Sequence, residues 1–162
     1  MHLISESAAI SPLCDLETSS RGSTLTIGEH SMIDAFVKVK FAGGTGDIQL
    51  GQYVNVNSGT VIYSGNGVQI GDNVLIAANC TFAPVNHAYE DRNRLIREQG
   101  FLRSKGGITI EDDVWIGANC VILDGTYIRK GAVIGANSLV RGTLKAYSIY
   151  AGNPIQLKGA RL

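Results

Sequence analysis

The sequence predicts an all-β solenoid, a parallel β-helix whose coils are triangles, and three observations carry that prediction. From Ile110 the chain reads in sixes: "IEDDVW", "IGANCV", "ILDGTY", "IRKGAV", "IGANSL" and "VRGTLK". Ile, Leu and Val supply 42 of the 162 residues, so six in succession at one spacing would arise by chance about three times in ten thousand. The fifth place of these units holds Val114, Cys120, Thr126, Ala132, Ser138 and Leu144, mostly small or β-branched. Gly is abundant at 20 and Pro scarce at 3, which suits short strands joined by tight corners.

A lasting period of six belongs neither to a helix nor to a lone strand. It fits a coil whose sides are each one hexapeptide, with the aliphatic first residue pointing inward and the smaller fifth filling the remaining room. Stacked coils then pair their backbones as parallel strands do. Gly at the second place (Gly28, Gly51, Gly71, Gly117, Gly135) is expected at corners, where backbone angles are unusual or approach is close. The same frame runs earlier through "IGEHSM", "IDAFVK", "LGQYVN", "VNSGTV", "IGDNVL" and "IAANCT". It slips at "FAGGTGD" and "YSGNGVQ" and stops from Asn86 to Gly107. The expected division is a poorly periodic N-terminal cap over 1–25, a β-helix over 26–151 with an inserted loop over 86–107, and a C-terminal tail over 152–162.

Composition narrows the function. Lys and Arg number 14, as do Asp and Glu, without a long run of either sign, which argues against a nucleic-acid partner. "MHLISESAAISPLCDLE" lacks the basic flank and apolar stretch of a signal peptide, and no segment has the apolar length to insert in a membrane. Cys14, Cys80 and Cys120 are odd in number and show no CxxC spacing, so neither a disulfide framework nor a metal site is expected. Cys80 and Cys120 hold fifth places and read as small core residues. The expected compartment is cytoplasmic.

One combination is more specific than the repeat: "IGDNVLIA", a histidine seventeen residues beyond Ile70, a long loop, and "DDVWIGAN". Together with "GAVIGANSLV" and "AGNPIQLKGAR" it resembles the hexapeptide-repeat acyltransferases, in particular galactoside and maltose O-acetyltransferases, from about Ile27 to Arg161. The resemblance implies a left-handed parallel β-helix, a homotrimer with active sites between subunits, acetyl-CoA as co-substrate and a carbohydrate acceptor. It also implies that His87 is the general base. The chemistry agrees, since a sugar hydroxyl must lose its proton as it attacks a thioester, and imidazole accepts protons near neutral pH. His2 and His30 match nothing similar.

By the same resemblance Asn57 and Asn86 would meet the acceptor, an amide being able both to donate to and to accept from a hydroxyl. Trp115, the only tryptophan, sits at an outward sixth place and would lie against acceptor and pantetheine arm. Gly117, Ala118, Gly135 and Ala136 would let CoA approach backbone, while Lys158 and Arg161 (and, more weakly, Arg141 and Lys145) would meet its phosphates. Each small residue also fits the ordinary grammar of the repeat. Two departures stand out: relatives tend to carry an acidic residue where this chain has Gly65, and Pro154 is followed by Ile155-Gln156 where they often have Ala and basic residues.

The N-terminal stretch is too short and unpatterned for the helical segment of the galactoside and maltose enzymes. The chain therefore looks more like the sugar O-acetyltransferases of cell-surface polysaccharide pathways. Two alternatives stay open: an N-acetyltransferase of amino-sugar nucleotides, or a non-catalytic scaffold. The γ-class carbonic anhydrases share the prism but need three histidine ligands, and here the only histidines are His2, His30 and His87, widely scattered.

Overall fold

Strands of two to five residues alternate with tight corners throughout the computed structural model, which describes residues 1–162. They stack into three sheets, the sides of a prism. The first face holds His2–Ile4, Leu25–Ile27, Ile48–Leu50, Val68–Ile70, Ile108–Ile110, Thr126–Ile128 and Thr143–Leu144. The second holds Ala9–Ile10, Met32–Ile33, Asn55–Val56, Leu75–Ile76, Trp115–Ile116, Val133–Ile134 and Ser148–Ala151, and the third Asp15–Leu16, Lys38–Lys40, Val61–Tyr63, Thr81–Ala83, Val121–Leu123 and Leu139–Val140. Stacked neighbours are parallel, and the repeat sets their register: Ile27, Leu50, Ile70, Ile110, Ile128 and Leu144 form one ladder. The final strand, Gln156–Ala160, turns back antiparallel on Ser148–Ala151.

The period of six is a packing rule. Every first-place residue from Ile110 to Val140 and every fifth-place residue from Val114 to Leu144 is buried, and all but the polar Thr126 and Ser138 belong to one continuous apolar core. Each fully buried aliphatic contributes about 1.5–3 kcal/mol of transfer free energy. No helix is long and apolar enough to cross a membrane.

The corners resolve the role of glycine. Second-place glycines have ordinary φ; a Cβ on Gly28 would lie 2.4 Å from the Gly51 carbonyl oxygen, and one on Gly117 2.6 Å from the Ala136 nitrogen. Close approach, not backbone angle, demands them. The left-handed backbone falls on the fourth place instead, at His30, Phe36, Tyr53, Asn73, Asn79, Asp113, Asn119 and Asn137, with φ of 55° to 64°. Asn and Asp tolerate that region best among residues with a Cβ. Gly28→Ala is expected to cost about 1–3 kcal/mol, because the obstructing atoms are backbone. Gly159→Ala, with open space around it, is expected to leave the urea midpoint unchanged; equal midpoints for the two variants would refute the close-approach account.

Residues 2–16 form the first coil, one strand on each face. A six-residue spacing runs through Ile4, Ile10 and Leu16, with Ala8 and Cys14 at fifth places. Ala8, Ile10, Cys14 and Leu16 pack on the core but stay partly exposed, since nothing stacks beyond them.

Candidate active site

The inserted loop leaves the third face after Thr81–Ala83. Its neck is a short antiparallel ladder: His87 bridges Phe101, the Ala88 N–H donates to the Gly100 carbonyl at 3.0 Å, and the Leu102 N–H to the Asn86 carbonyl at 2.8 Å. The rings of His87 and Phe101 lie 4.6 Å apart. The tip carries the only helix, Ile96–Gln99, where the Gln99 side chain bonds the backbone of Asp91 and Arg94.

The loop's return is held by Asp124. Its two carboxylate oxygens accept the N–H groups of Lys105 at 2.8 Å and Gly107 at 2.9 Å, and the residue is buried. The sequence does not mark Asp124. In "ILDGTY" it looks like any corner residue, and only the folded return of a distant loop gives it partners.

His87 is exposed and lines two cavities. One, of about 370 Å³, bears charged and polar groups from Asn86, Lys105, Asp124 and Arg141 beside Tyr89, Leu102 and Leu123. The other, about 250 Å³, is bounded by Ala42, Tyr63, Ala83, Val85 and Phe101. Neither Lys105 nor Arg141 forms an ion pair.

Other candidates stand elsewhere on the prism. Trp115 lies on the second face, half exposed, in a hollow of about 300 Å³ with Asp113, Val133 and Arg161. Asn57, Gly117 and Gly135 share the edge that follows that face, with Ala118 and Ala136 next along it. The Asn57 amide donates to the Ile76 carbonyl at 2.7 Å. Arg161 already has partners: its guanidinium donates to the Asp113 carboxylate at 2.9 Å and the Gly131 carbonyl at 3.1 Å, pinning the tail. Lys158 is exposed and meets only the Gln156 side chain. A single chain thus joins His87, Asn86 and Arg141 and holds Trp115 with the glycine–alanine edge apart.

Gly65 is buried at a corner with φ of 40°, and a Cβ there would lie 2.9 Å from the Pro84 ring. No longer side chain fits that place. Cys80 and Cys120 are fully buried, and their thiols donate to the carbonyls of Gly117 and Gly135 at 3.3 Å. The neighbouring Cys120 thiol and burial together push the Cys80 thiol up, so it stays protonated inside the core.

Two family descriptions match this chain: "Bacterial transferase hexapeptide (six repeats)" over residues 107–142, and "Hexapeptide repeat of succinyl-transferase" over residues 55–81. The protein of Escherichia coli strain K12 named WbbJ, for lipopolysaccharide biosynthesis O-acetyl transfer, is 31% identical over 84% of this chain and 68% of its own length. The chain belongs to the hexapeptide-repeat acyltransferases. The galactoside O-acetyltransferase of the same organism is 34% identical over 82% of this hexapeptide-repeat chain and 62% of its own length. The crystal structure of the hexapeptide-repeat containing acetyltransferase of Vibrio cholerae, complexed with acetyl coenzyme A, aligns with a TM-score of 0.68 and 25% identity, over 99% of this chain and 71% of that one. The prism is the left-handed parallel β-helix of that family. This acyltransferase chain spans 23% to 68% of the length of the curated relatives it matches.

Proposed function

We propose that this chain transfers the acetyl group of acetyl-CoA directly to a hydroxyl of a carbohydrate acceptor, with His87 as general base. The observation that carries the reading is the position of His87 on the wall between a charge-bearing cavity and an apolar one. A base between two binding spaces suits the joining of two substrates. Its imidazole takes the hydroxyl proton as the oxygen attacks the thioester carbonyl, and returns it to the departing thiolate as the tetrahedral intermediate collapses. The products are an acetyl ester and free CoA thiol. No acyl-enzyme is needed, which accords with Cys80 and Cys120 being buried in the core and with Cys14 lying in the first coil, away from His87.

The co-substrate is assigned from the donor chemistry and the relatives. The edge formed by Gly117, Ala118, Gly135 and Ala136 offers backbone without bulky side chains, and the free cations Arg141 and Lys158 suit phosphate. Arg161 is better suited to holding the tail, since its charge is matched by Asp113. The acetyl-CoA complex of the Vibrio cholerae relative supports this donor. WbbJ and the galactoside enzyme support a sugar hydroxyl as acceptor, and WbbJ supports a place in surface-polysaccharide synthesis.

The reading requires a homotrimer. The outward residues of the first face are mostly polar (Thr26, Gln49, Gln69, Thr109), with Leu3 and Tyr127 toward its ends, while those of the second include Met32, Leu75, Trp115, Val133 and Ile149. Met32, Leu75 and Trp115 are each about half exposed, as are Leu95 and Ile96 on the inserted loop. An apolar stripe of this length marks a contact surface. Setting the second face of one copy beside the loop of the next is a heterologous contact, which a three-fold rotation closes as a ring. It unites Trp115 and the glycine–alanine edge of one subunit with His87 of its neighbour. The test is thiol release from acetyl-CoA with sugar and amino-sugar acceptors, run beside sedimentation. Acceptor-dependent release by a trimer is expected, and Trp115→Glu is expected to yield monomers that release none. A fully active monomer would overturn the shared site, and activity only on amino sugars would replace O-transfer by N-transfer.

A further inference from the structure

The two cavities flanking His87 differ in chemistry, and the difference selects the acceptor. The 370 Å³ cavity carries the charged side chains of Lys105, Arg141 and Asp124 and the Asn86 amide, beside Tyr89, Leu102 and Leu123. The 250 Å³ cavity on the Phe101 side has room for about one sugar ring, and its only polar side chains are His87 itself and the Tyr63 hydroxyl. Ala42, Ala83 and Val85 complete its wall with Phe101. Within one subunit, carboxylates, amides and cations are missing from its wall, although such groups are the usual hydrogen-bond partners of a hydroxyl.

The packing keeps the wall that way. Gly43 has φ of 80°, and a Cβ there would lie 2.6 Å from the Val85 side chain. Gly65, two residues beyond the strand that bears Tyr63, is closed off by Pro84. Phe101 is held against His87 by the backbone bridge at the loop's neck, with its ring tilted 38° to the imidazole. Phe101 and Tyr63 therefore present aromatic surface at the place where a hydroxyl must meet the base.

Resting on the acetyl-transfer reading above, we infer that the acceptor is an uncharged deoxy sugar whose methyl group and C–H face pack on Tyr63, Val85 and Phe101. In this assignment Tyr63 and Phe101 determine specificity. A ring hydroxyl reaches His87 while the methyl group fills the apolar wall. A hydroxymethyl group there would lose hydration without a partner, and a carboxylate would lose more.

The experiment compares methyl glycosides of matched ring stereochemistry bearing a methyl, a hydroxymethyl or a carboxylate group on the same ring carbon. Each is measured twice on the whole protein: kcat/KM for acetyl-CoA-dependent thiol release, and binding by saturation-transfer NMR. The methyl compound is expected to exceed the hydroxymethyl compound about tenfold or more, and the carboxylate by a wider margin. Tyr63→Ser and Phe101→Ser should shrink both ratios toward unity through KM, with kcat for the hydroxymethyl compound changed less. Robust turnover with equal or reversed preference overturns this inference and leaves acetyl transfer standing. Binding that favours the methyl compound and depends on Tyr63 and Phe101, without any turnover, upholds the cavity assignment and overturns acetyl transfer. Neither binding nor turnover overturns both.

Discussion

Replacing His87 by alanine is expected to lower kcat/KM for acetyl transfer by about 10²–10⁴-fold, the range of a placed general base, without measurable loss of stability. The second half makes the prediction informative. The His87 side chain is exposed, belongs to no part of the core, and touches chiefly the Phe101 ring. Truncation therefore leaves neither a core cavity nor a buried polar group without a partner. The His87–Phe101 bridge is made by backbone and survives the change. Unfolding midpoints and sedimentation should match the parent, and the loss should appear in kcat because the proton moves in the chemical step. A variant retaining more than about a third of parental kcat would remove His87 from the role of base.

Asp124→Ala has the second largest expected effect and tests a residue that touches no reacting atom. Its carboxylate accepts two backbone N–H groups across seventeen and nineteen residues, and one of them belongs to buried Gly107. Removing it leaves both donors unpaired, at about 1–3 kcal/mol for each one that stays buried. The local consequence matters more. Lys105 and Gly107 end the loop whose neck carries His87 and Phe101, and Asp124 also lines the charged cavity. The expected result is amide exchange at Lys105 and Gly107 at least about tenfold faster, with kcat/KM reduced and core amides such as Ile122 unchanged. Asp124→Asn keeps one acceptor oxygen and should fall between parent and alanine variant. If exchange at Lys105 and Gly107 were unaltered, the carboxylate would not be the anchor of the loop.

Legibility differed between core and site. A six-residue period needs only local spacing, so the inward places from Ile110 to Leu144 could be named in advance. Ile4, Ile10 and Leu16 obey the same spacing, but three units with polar flanks, between them "SESAA" and "SPLCD", are too few to stand out from chance. Second-place glycine was recognisable as a corner requirement, while its cause lay in the Gly51 backbone of the next coil. A motif position marks His87, and it meets Asn86 and Arg141 at one cavity because a loop of about twenty residues folds back on the third face.

By itself the sequence determined the period, and with it the prism, the inward residues and the point where the repeat is interrupted. These follow from local spacing, because each hexapeptide meets the same kind of neighbour above and below it. Only the tertiary structure decided that Asp124 clasps the loop, that Arg161 is tied to Asp113, and that His87 faces one charged and one apolar cavity. Those contacts join residues far apart in the chain through an insertion outside the period. Their partners are set by where the loop returns, and no repeating pattern encodes that.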